Sequence, residues 1–577
     1  MVLYLPIVMF LVAIPQMNDG LELPRSIMLL IFCLTYIYIK PRILVVEKKI
    51  LLLPFLIPII YLANSYLLDQ NILQALFGAY KRNFGILTHL AIAILLLISI
   101  NSKSIDSYKL FKRTLLPLIA FSIFYSIIQI TRNDFYLWAE TDRVVLTLGN
   151  SNFAAAYLAI LLPGVIYGLM LKRNHNNITY KVVFILILTV LIYCGLQTKS
   201  FQFNVIALTG IITYLFIYNY NKINKLSRSS RISILGLFIP ISVLLIYHFR
   251  NILNEFTSAD DRISTQIIGL KMFRDHFLLG VGIENYSSYA QLYITPADVR
   301  REGYDRFLDK SHNAMIDHFA NGGIFTGLIY LSVLIAIFYF TYKLLRADYK
   351  LQEELALLGS IFSSYVIQLF FNTDSILLML IPYIVMGMIA KLYLEKFSQG
   401  LTPSDKLLSP SSSLMVAKNS SHVIVRMFTG FLLLAFLALS FRICVTDLQY
   451  RKILNEKQVT SERILTTLER WPYPRPTEQV MVAIAQNLQN CALLNTITDR
   501  LIIVNKNSSN AWFVKALCAD FDGNQKLALR FVKKAISLQP LNVRYLDVKY
   551  QLENALGLYN EATETLKFIK YIGAPIQ

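Results

Sequence analysis

Thirteen stretches, each about as long as a bilayer is thick, recur along the first 441 residues and carry almost no charge. They run roughly 2–18, 26–39, 50–68, 84–100, 114–131, 152–171, 182–198, 203–221, 232–248, 313–342, 355–371, 375–390 and 423–441. A helix needs about 20 mainly apolar residues to cross the hydrocarbon core, and in a helix every backbone polar group finds its partner within the segment. The pattern predicts an all-α chain: a polytopic membrane bundle of about 12–13 transmembrane helices. Charged residues make up 16% and hydrophobic residues 55%, against roughly 25% charged in soluble domains. That excludes a disordered chain, a disulfide-stapled secreted domain and an ordinary soluble enzyme. The spans hold few ionisable groups: His89, His248, Asp317, His318 and Arg426. The first span has no basic n-region, which reads as a retained helix and not a removed signal peptide.

Orientation follows from lysine and arginine. One set of alternate short loops holds 22 of them, and the opposite set holds six: Arg25, Lys81, Arg82, Arg132, Arg143 and Lys199. The rich set belongs in the cytoplasm. The net charge of +19 is therefore read as inward-facing loops and not as nucleic-acid binding. The N-terminus is placed inside. The long loop of about 249–312 and everything after residue 442 are placed outside.

Four regions follow. Residues 1–395 form the membrane domain, with the outer loop of about 249–312 folded on the membrane surface. Residues 396–421, with Ser409-Pro410-Ser411-Ser412-Ser413, form a cytoplasmic linker. A further transmembrane helix spans 422–442. Residues 446–577 form an outer helical domain with a repeat of about 34–35 residues. Trp512, Ala516, Ala528, Ala535 and Pro540 mark one unit; Tyr545, Ala555, Ala562 and Pro575 mark the next. A weaker unit lies at about 478–509. Small residues at these places let paired helices pack closely, and the repeat resembles tetratricopeptide units stacked as an α-solenoid. Such a tail either docks a partner or caps the membrane domain. Of the five cysteines, Cys491 and Cys518 share the outer domain and have the means to pair, but buried thiols are the expectation.

The outer turns collect a distinctive set of polar groups. Arg82 follows Gly78-Ala79-Tyr80-Lys81. Arg143 precedes Gly149-Asn150-Ser151-Asn152-Phe153. Thr198-Lys199-Ser200-Phe201-Gln202 forms another outer turn. Asp260-Asp261-Arg262 opens the long loop, and Ser311-His312-Asn313 closes it. Asn150–Asn152 and Ser311 are candidate helix caps. Helix N-termini beside arginines favour a diphosphate, because the guanidinium fork matches phosphate geometry. The plainer readings are headgroup-anchoring arginines, a hydrogen-bonded histidine, solvated carboxylates at Asp260-Asp261, and a short turn at Asn372–Asp374. Phosphate-loop, serine-elbow and zinc motifs are absent from the sequence.

Taken in order, Gly78…Arg82-Asn83-Phe84-Gly85, Gln129 with Arg143, Gly149–Phe153, Thr198-Lys199-Ser200, Arg262 with Met272…Gly280-Val281-Gly282, Ser311-His312-Asn313 with Gly322-Gly323, and Gln368…Asn372 resemble the O-antigen ligase-like membrane family. That family includes O-antigen ligases, glycan polymerases and protein O-oligosaccharyltransferases. These segments cover most of residues 70–390. The chain departs from some members at Phe201 and Gln202-Phe203, where they carry an arginine or a Gln-Gly pair, and at Gly322.

The resemblance implies a bacterial inner-membrane glycosyltransferase acting on the outer side. The donor would be a glycan preassembled on undecaprenyl diphosphate, and the acceptor a hydroxyl of a lipid, protein or glycan. Transfer would invert the anomeric centre without a metal or other cofactor. His312 matches the catalytic histidine. Arg143 and Arg262, with Arg82 less closely, match arginines that bind the diphosphate. Asn313, Asn150, Lys199 and Gln129 would support them.

The roles make physical sense. The sugar–diphosphate bond supplies the activation, so no ATP is needed outside the cell. A histidine with an unperturbed pKa of about 6.5 can take the acceptor proton. Nearby arginines keep it neutral and stabilise the leaving diphosphate. A polymerase that lengthens the carrier-bound glycan is the first alternative. A lipid-linked glycan transporter is a more distant one, because the two similar halves common in transporters are missing.

Overall fold

The computed structural model of the chain describes residues 1–41, 52–102, 105–134, 136, 138, 142–171, 177–225, 258–303, 308–397, 412–456, 460–470, 490–504 and 506–573. Every regular element among them is a helix. In chain order these include α1 (Leu5–Leu11), α2 (Glu22–Ile39), α3 (Leu53–Leu67), α4 (Ile72–Phe77), α5 (Ile86–Asn101), α6 (Ser107–Ile130), α7 (Ser151–Met170), α8 (Ile178–Leu196) and α9 (Phe201–Tyr218). The outer loop contributes α10 (Ser258–Asp275), α11 (Tyr286–Ala290) and α12 (Pro296–Glu302). Then come α13 (Ala314–Ala347), α14 (Gln352–Gln368), α15 (Ile376–Phe397) and α16 (Ser412–Asn455). The tail adds α17 (Ser461–Arg470), α18 (Cys491–Val504), α19 (Ser509–Phe521), α20 (Gln525–Leu538), α21 (Val543–Ala555) and α22 (Tyr559–Ile572).

Among the described residues, eight helices are long and apolar enough to cross a membrane: α2, α6, α7, α8, α9, α13, α15 and the Val423–Asn455 part of α16. The runs near residues 2, 50 and 84 form the shorter apolar helices Val2–Leu11, α3 and α5. The run 355–371 is α14, and the run 232–248 lies outside the described residues. The chain is thus a multi-pass membrane protein. α7 and α15 are apolar all round and sit at the centre of the bundle, which is the position such helices require.

Four sequence expectations change. The first span stops being helical at Leu11, because Pro15 disfavours helix at the residue before it. The chain then turns back on itself, with the Ile14 N–H donating to the Gly20 carbonyl (2.8 Å). Arg25, counted as a loop cation, is fully buried in the first turn of α2. It donates to the carbonyls of Met9, Val12 and Thr147 and pairs with Glu22. The last span and the start of the tail are one helix, α16, since no glycine or proline falls between Phe441 and Asn455 to end it. Cys491 and Cys518, expected as buried thiols, are joined in a disulfide with Cα atoms 5.3 Å apart. The α18–α19 packing brings their backbones within bridging distance.

The tail helices α18 to α22 follow one another through short connections, and each packs on the next. Phe513, Ala516, Ala528, Val532, Ala535 and Tyr545 form one of their cores. The last helix returns to the outer loop. Val299 of α12 packs with Val543, Leu546, Ile569 and Ile572, and Arg300 donates to the Tyr571 carbonyl (3.0 Å). Pro575, residues 478–489 of the weaker unit and residues 398–411 of the linker lie outside the described residues.

Candidate active site

His312 sits on a turn held from both sides. On one side Asn313, and not Ser311, caps α13: its Oδ1 accepts the N–H groups of Met315 and Ile316, both at 3.1 Å. On the other, Asp317 Oδ1 accepts the Ser311 N–H (2.8 Å) and hydroxyl (2.7 Å). The Thr265 hydroxyl holds the Ser311 carbonyl (3.2 Å), and the Ala314 N–H is shared by the carbonyls of Leu369 and Asn372. His312 takes up φ 57°, a left-handed conformation costing a non-glycine residue roughly 1–2 kcal/mol. Lys81 (64°), Asn83 (52°) and Glu284 (58°) are left-handed too. Such strain persists where the surroundings over-determine it, often at functional sites.

The imidazole faces a cavity of about 330 Å³. Three turns build its wall. The 12–21 loop and the start of α2 supply Asn18, Asp19 and Glu22; the 78–85 loop supplies Lys81 and Arg82; the start of α7 supplies Asn150 and Asn152. Gly78 and Gly85 pinch the second loop shut. Gly78 has φ 84°, and a Cβ there would lie 2.5 Å from the Gly85 nitrogen, so the loop closes only without side chains at its neck. Asn150 caps α7, accepting from Asn152 N (2.9 Å) and Phe153 N (3.4 Å). Asn372, Asp374 and Ser375 complete the wall. The carboxyl of Asp374 accepts the hydroxyls of Tyr330 and Tyr365, both at 3.0 Å. Burial pushes it up to about 7, against the pull of those two hydrogen bonds.

Charge is arranged around the histidine. Arg82 is paired with Asp309, and the buried Lys310 with the buried Glu284, whose other oxygen accepts the Ala79 N–H (3.2 Å). Arg262, half-buried, has no carboxylate partner among the described residues. Its guanidinium meets the side-chain amide of Gln202 (3.0 Å from Nη2), which accepts from it once the amide is turned to put its oxygen on that side, and Gln202 in turn touches Asn372. Burial lowers the basicity of His312 below that of free imidazole. Asp309 opposes this, and Arg262 and Arg82 add to it. Arg82 stays firmly protonated because Asp309 outweighs the cost of its burial.

Of the residues named from sequence, Arg82, Asn150 and His312 line the cavity, and Arg262 lies close enough for its charge to act on the imidazole. Asn313 holds the turn. Gln129 acts behind the wall, where its amide oxygen accepts the N–H groups of Val145 (3.0 Å) and Leu146 (2.9 Å). Arg143 and Lys199 are not among the cavity-lining residues; they flank Asp142, at 3.9 and 2.9 Å. Asp260 and Asp261 open α10, but their side chains are outside what is described. Lys81, Asp309, Lys310, Asp317 and Asp374 were missed. Asp309-Lys310, separated by Ser311 from the His-Asn pair, and a lone aspartate within an apolar run were the available signals.

Gly280-Val281-Gly282 serves packing and not phosphate. Val281 and Gly282 donate to the carbonyls of Ala320 (2.9 Å) and Asn321 (3.0 Å). α13 is broken there at Gly323 (φ 71°, ψ −170°).

No curated protein matches the chain. The O-antigen ligase family model matches residues 144–331, the stretch that holds both Arg262 and His312. Over that stretch the chain is similar to O-antigen ligases, which supports the resemblance read from its motifs.

Proposed function

We propose that the protein transfers a preassembled glycan from undecaprenyl diphosphate to an acceptor hydroxyl on the outer face of the bacterial inner membrane. The observation that carries this reading is the setting of His312: a clamped turn, a cavity, and two guanidinium groups whose charges reach the imidazole. Arg262 has no carboxylate partner among the described residues, and a desolvated charge left without a counter-ion is costly. A diphosphate would supply that counter-ion. Exposed Lys81, also at the cavity, has no ionic partner among the described residues and would meet the same group. Arg143 and Lys199, on neighbouring turns, would extend the cationic rim.

The acceptor oxygen attacks the anomeric carbon as its proton passes to His312. The bond from that carbon to the diphosphate oxygen breaks, and the configuration inverts. The growing negative charge on the leaving diphosphate falls to Arg82, Arg262 and Lys81. Asn313 and Asp317 hold the base in place and do not touch substrate. The disulfide supports the outer placement of the tail, since such bonds persist in oxidising compartments. The tail helices would form the proposed tetratricopeptide-like domain that docks a partner or acceptor.

The test compares a deletion strain with strains restored by wild type or His312→Ala. Mass spectrometry follows glycan on lipid A–core, periplasmic proteins and undecaprenyl diphosphate. Glycan that leaves one acceptor class while the carrier stays loaded identifies a ligase and its acceptor. Shorter carrier-linked chains alone identify a polymerase. Ligation that persists with His312→Ala sinks the proposed base.

A further inference from the structure

The outer end of α16 reaches the cavity wall. Asp447 there is fully buried. Its Oδ2 accepts the backbone N–H groups of Asn18 (2.7 Å) and Asp19 (3.0 Å), and its Oδ1 accepts the Tyr80 hydroxyl (2.6 Å). The Asn18 amide donates to that same hydroxyl oxygen (2.6 Å), and Arg451, one turn further along α16, donates to the Met17 carbonyl (2.7 Å). Asp447 thus ties together two loops far apart in sequence. Those loops carry Asn18, Asp19, Lys81 and Arg82, all on the cavity. An Asp19–Asn83 hydrogen bond makes a second tie between them.

We propose that Asp447 is a positioning residue for transfer. It sets the 12–21 and 78–85 loops so that Lys81 and Arg82 face the donor and Arg82 stays beside His312. The segment leading into the tail therefore acts on the site itself, whatever the tail docks. This inference rests on the transferase reading of the cavity.

The test uses full-length protein in vesicles with an undecaprenyl-diphosphate-linked glycan as donor. Asp447→Asn keeps the shape but turns one acceptor oxygen into a donor. It should lower kcat at least tenfold, raise the donor KM, and move the acidic limb of the pH–rate profile upward, because Arg82 no longer depresses the imidazole pKa. Tyr80→Phe, which removes one bond, should shift all three the same way by less. Phe431→Leu, on the exposed face of the same helix, should match wild type. Amide exchange at Asn18 and Asp19 should quicken in Asp447→Asn. Wild-type kcat, KM and pH limb in Asp447→Asn would overturn the proposal, as would unchanged exchange. A lower rate with an unshifted acidic limb would also overturn it, leaving Asp447 a folding role only. If wild type itself transfers nothing, the transferase reading fails, and the exchange measurement still decides whether Asp447 holds the loops.

Discussion

The imidazole of His312 feels influences of opposite sign: burial and the charges of Arg262 and Arg82 lower its pKa, and Asp309 and Asp317 raise it. The net direction is down, so the neutral base persists below the pH at which free imidazole protonates. The acidic limb of the pH–rate profile should therefore lie below about pH 6.5. Arg82→Met removes a cation and leaves Asp309 unpaired, and both changes raise the pKa. Its limb should move upward while the maximal rate falls about 10²–10³-fold; a pH series on purified protein with lipid-linked donor checks both. Asp317 provides a second test. Asp317→Ala strands the Ser311 N–H, although the Ser311 hydroxyl keeps the Asn313 carbonyl as acceptor, at a cost of about 1–3 kcal/mol, whereas Asp317→Asn keeps an acceptor oxygen there. Activity should fall in the order wild type, Asn, Ala at equal amounts of protein in the membrane. His312 and the two arginines whose charges reach it could be named from sequence because cations in otherwise cation-poor loops and a His-Asn pair at a loop end carry their own signal. Asp309, Lys310 and Asp374 were not. A charged residue in a loop reads as solvated until its partners are known, and those partners lie far away in sequence, as Glu284 and Tyr330 do.

At the scale of elements, hydropathy located nearly every described span and misjudged how helices end. The first span looked continuous because mostly apolar residues fill it to Met17, yet the helix ends at Leu11, and of the span's last third Asn18 reaches the cavity wall. The break in α13 was hidden for the opposite reason, since glycines inside a helical pattern are tolerated. Gly323 has φ 71°, and a Cβ there would fall 2.1 Å from the Leu278 carbonyl oxygen, where the outer loop crosses the helix backbone to backbone. Asn64 fastens that crossing by donating to the carbonyls of Leu279 (2.8 Å) and Gly322 (3.1 Å). Gly323→Ala should therefore cost more than the roughly 1–3 kcal/mol of backbone strain alone, because the crossing must also open. Gly557→Ala (φ 74°), with nothing within 4 Å of the added carbon, should cost only the strain. Thermal unfolding of the two variants in detergent separates them. The same crossing leads into the His312 turn, so Gly323→Ala should lose activity at temperatures where the protein remains folded.

Across the whole molecule, the tail and the cavity share one side of the bundle. α22 rests on α12, α16 meets the cavity loops through Asp447, and Lys506 reaches Asp69 (2.8 Å). The sequence divided the chain near residue 442 because apolar composition ends there, but composition does not record that α16 continues or that the tail folds back. The charge imbalance between alternate loops predicts that this shared side lies outside, and the cysteines offer a test of that placement. A disulfide between residues 27 apart closes a loop worth about 3–4 kcal/mol on the chain-entropy account, and it persists only where the compartment is oxidising. Cys491 and Cys518 should resist maleimide in unreduced intact cells and label after mild reduction with an impermeant phosphine. Cys33 and Cys194, buried in the bundle, should stay unlabelled throughout. The double variant Cys491→Ser, Cys518→Ser should lower the unfolding midpoint of the tail and loosen its hold on α12, read as faster amide exchange around Val299. If both thiols label without reductant in permeabilised cells but not in intact ones, the tail faces the cytoplasm. The cavity, held to it by Asp447 and α12, would then have to lie on that side too, out of reach of a glycan presented on the outer leaflet.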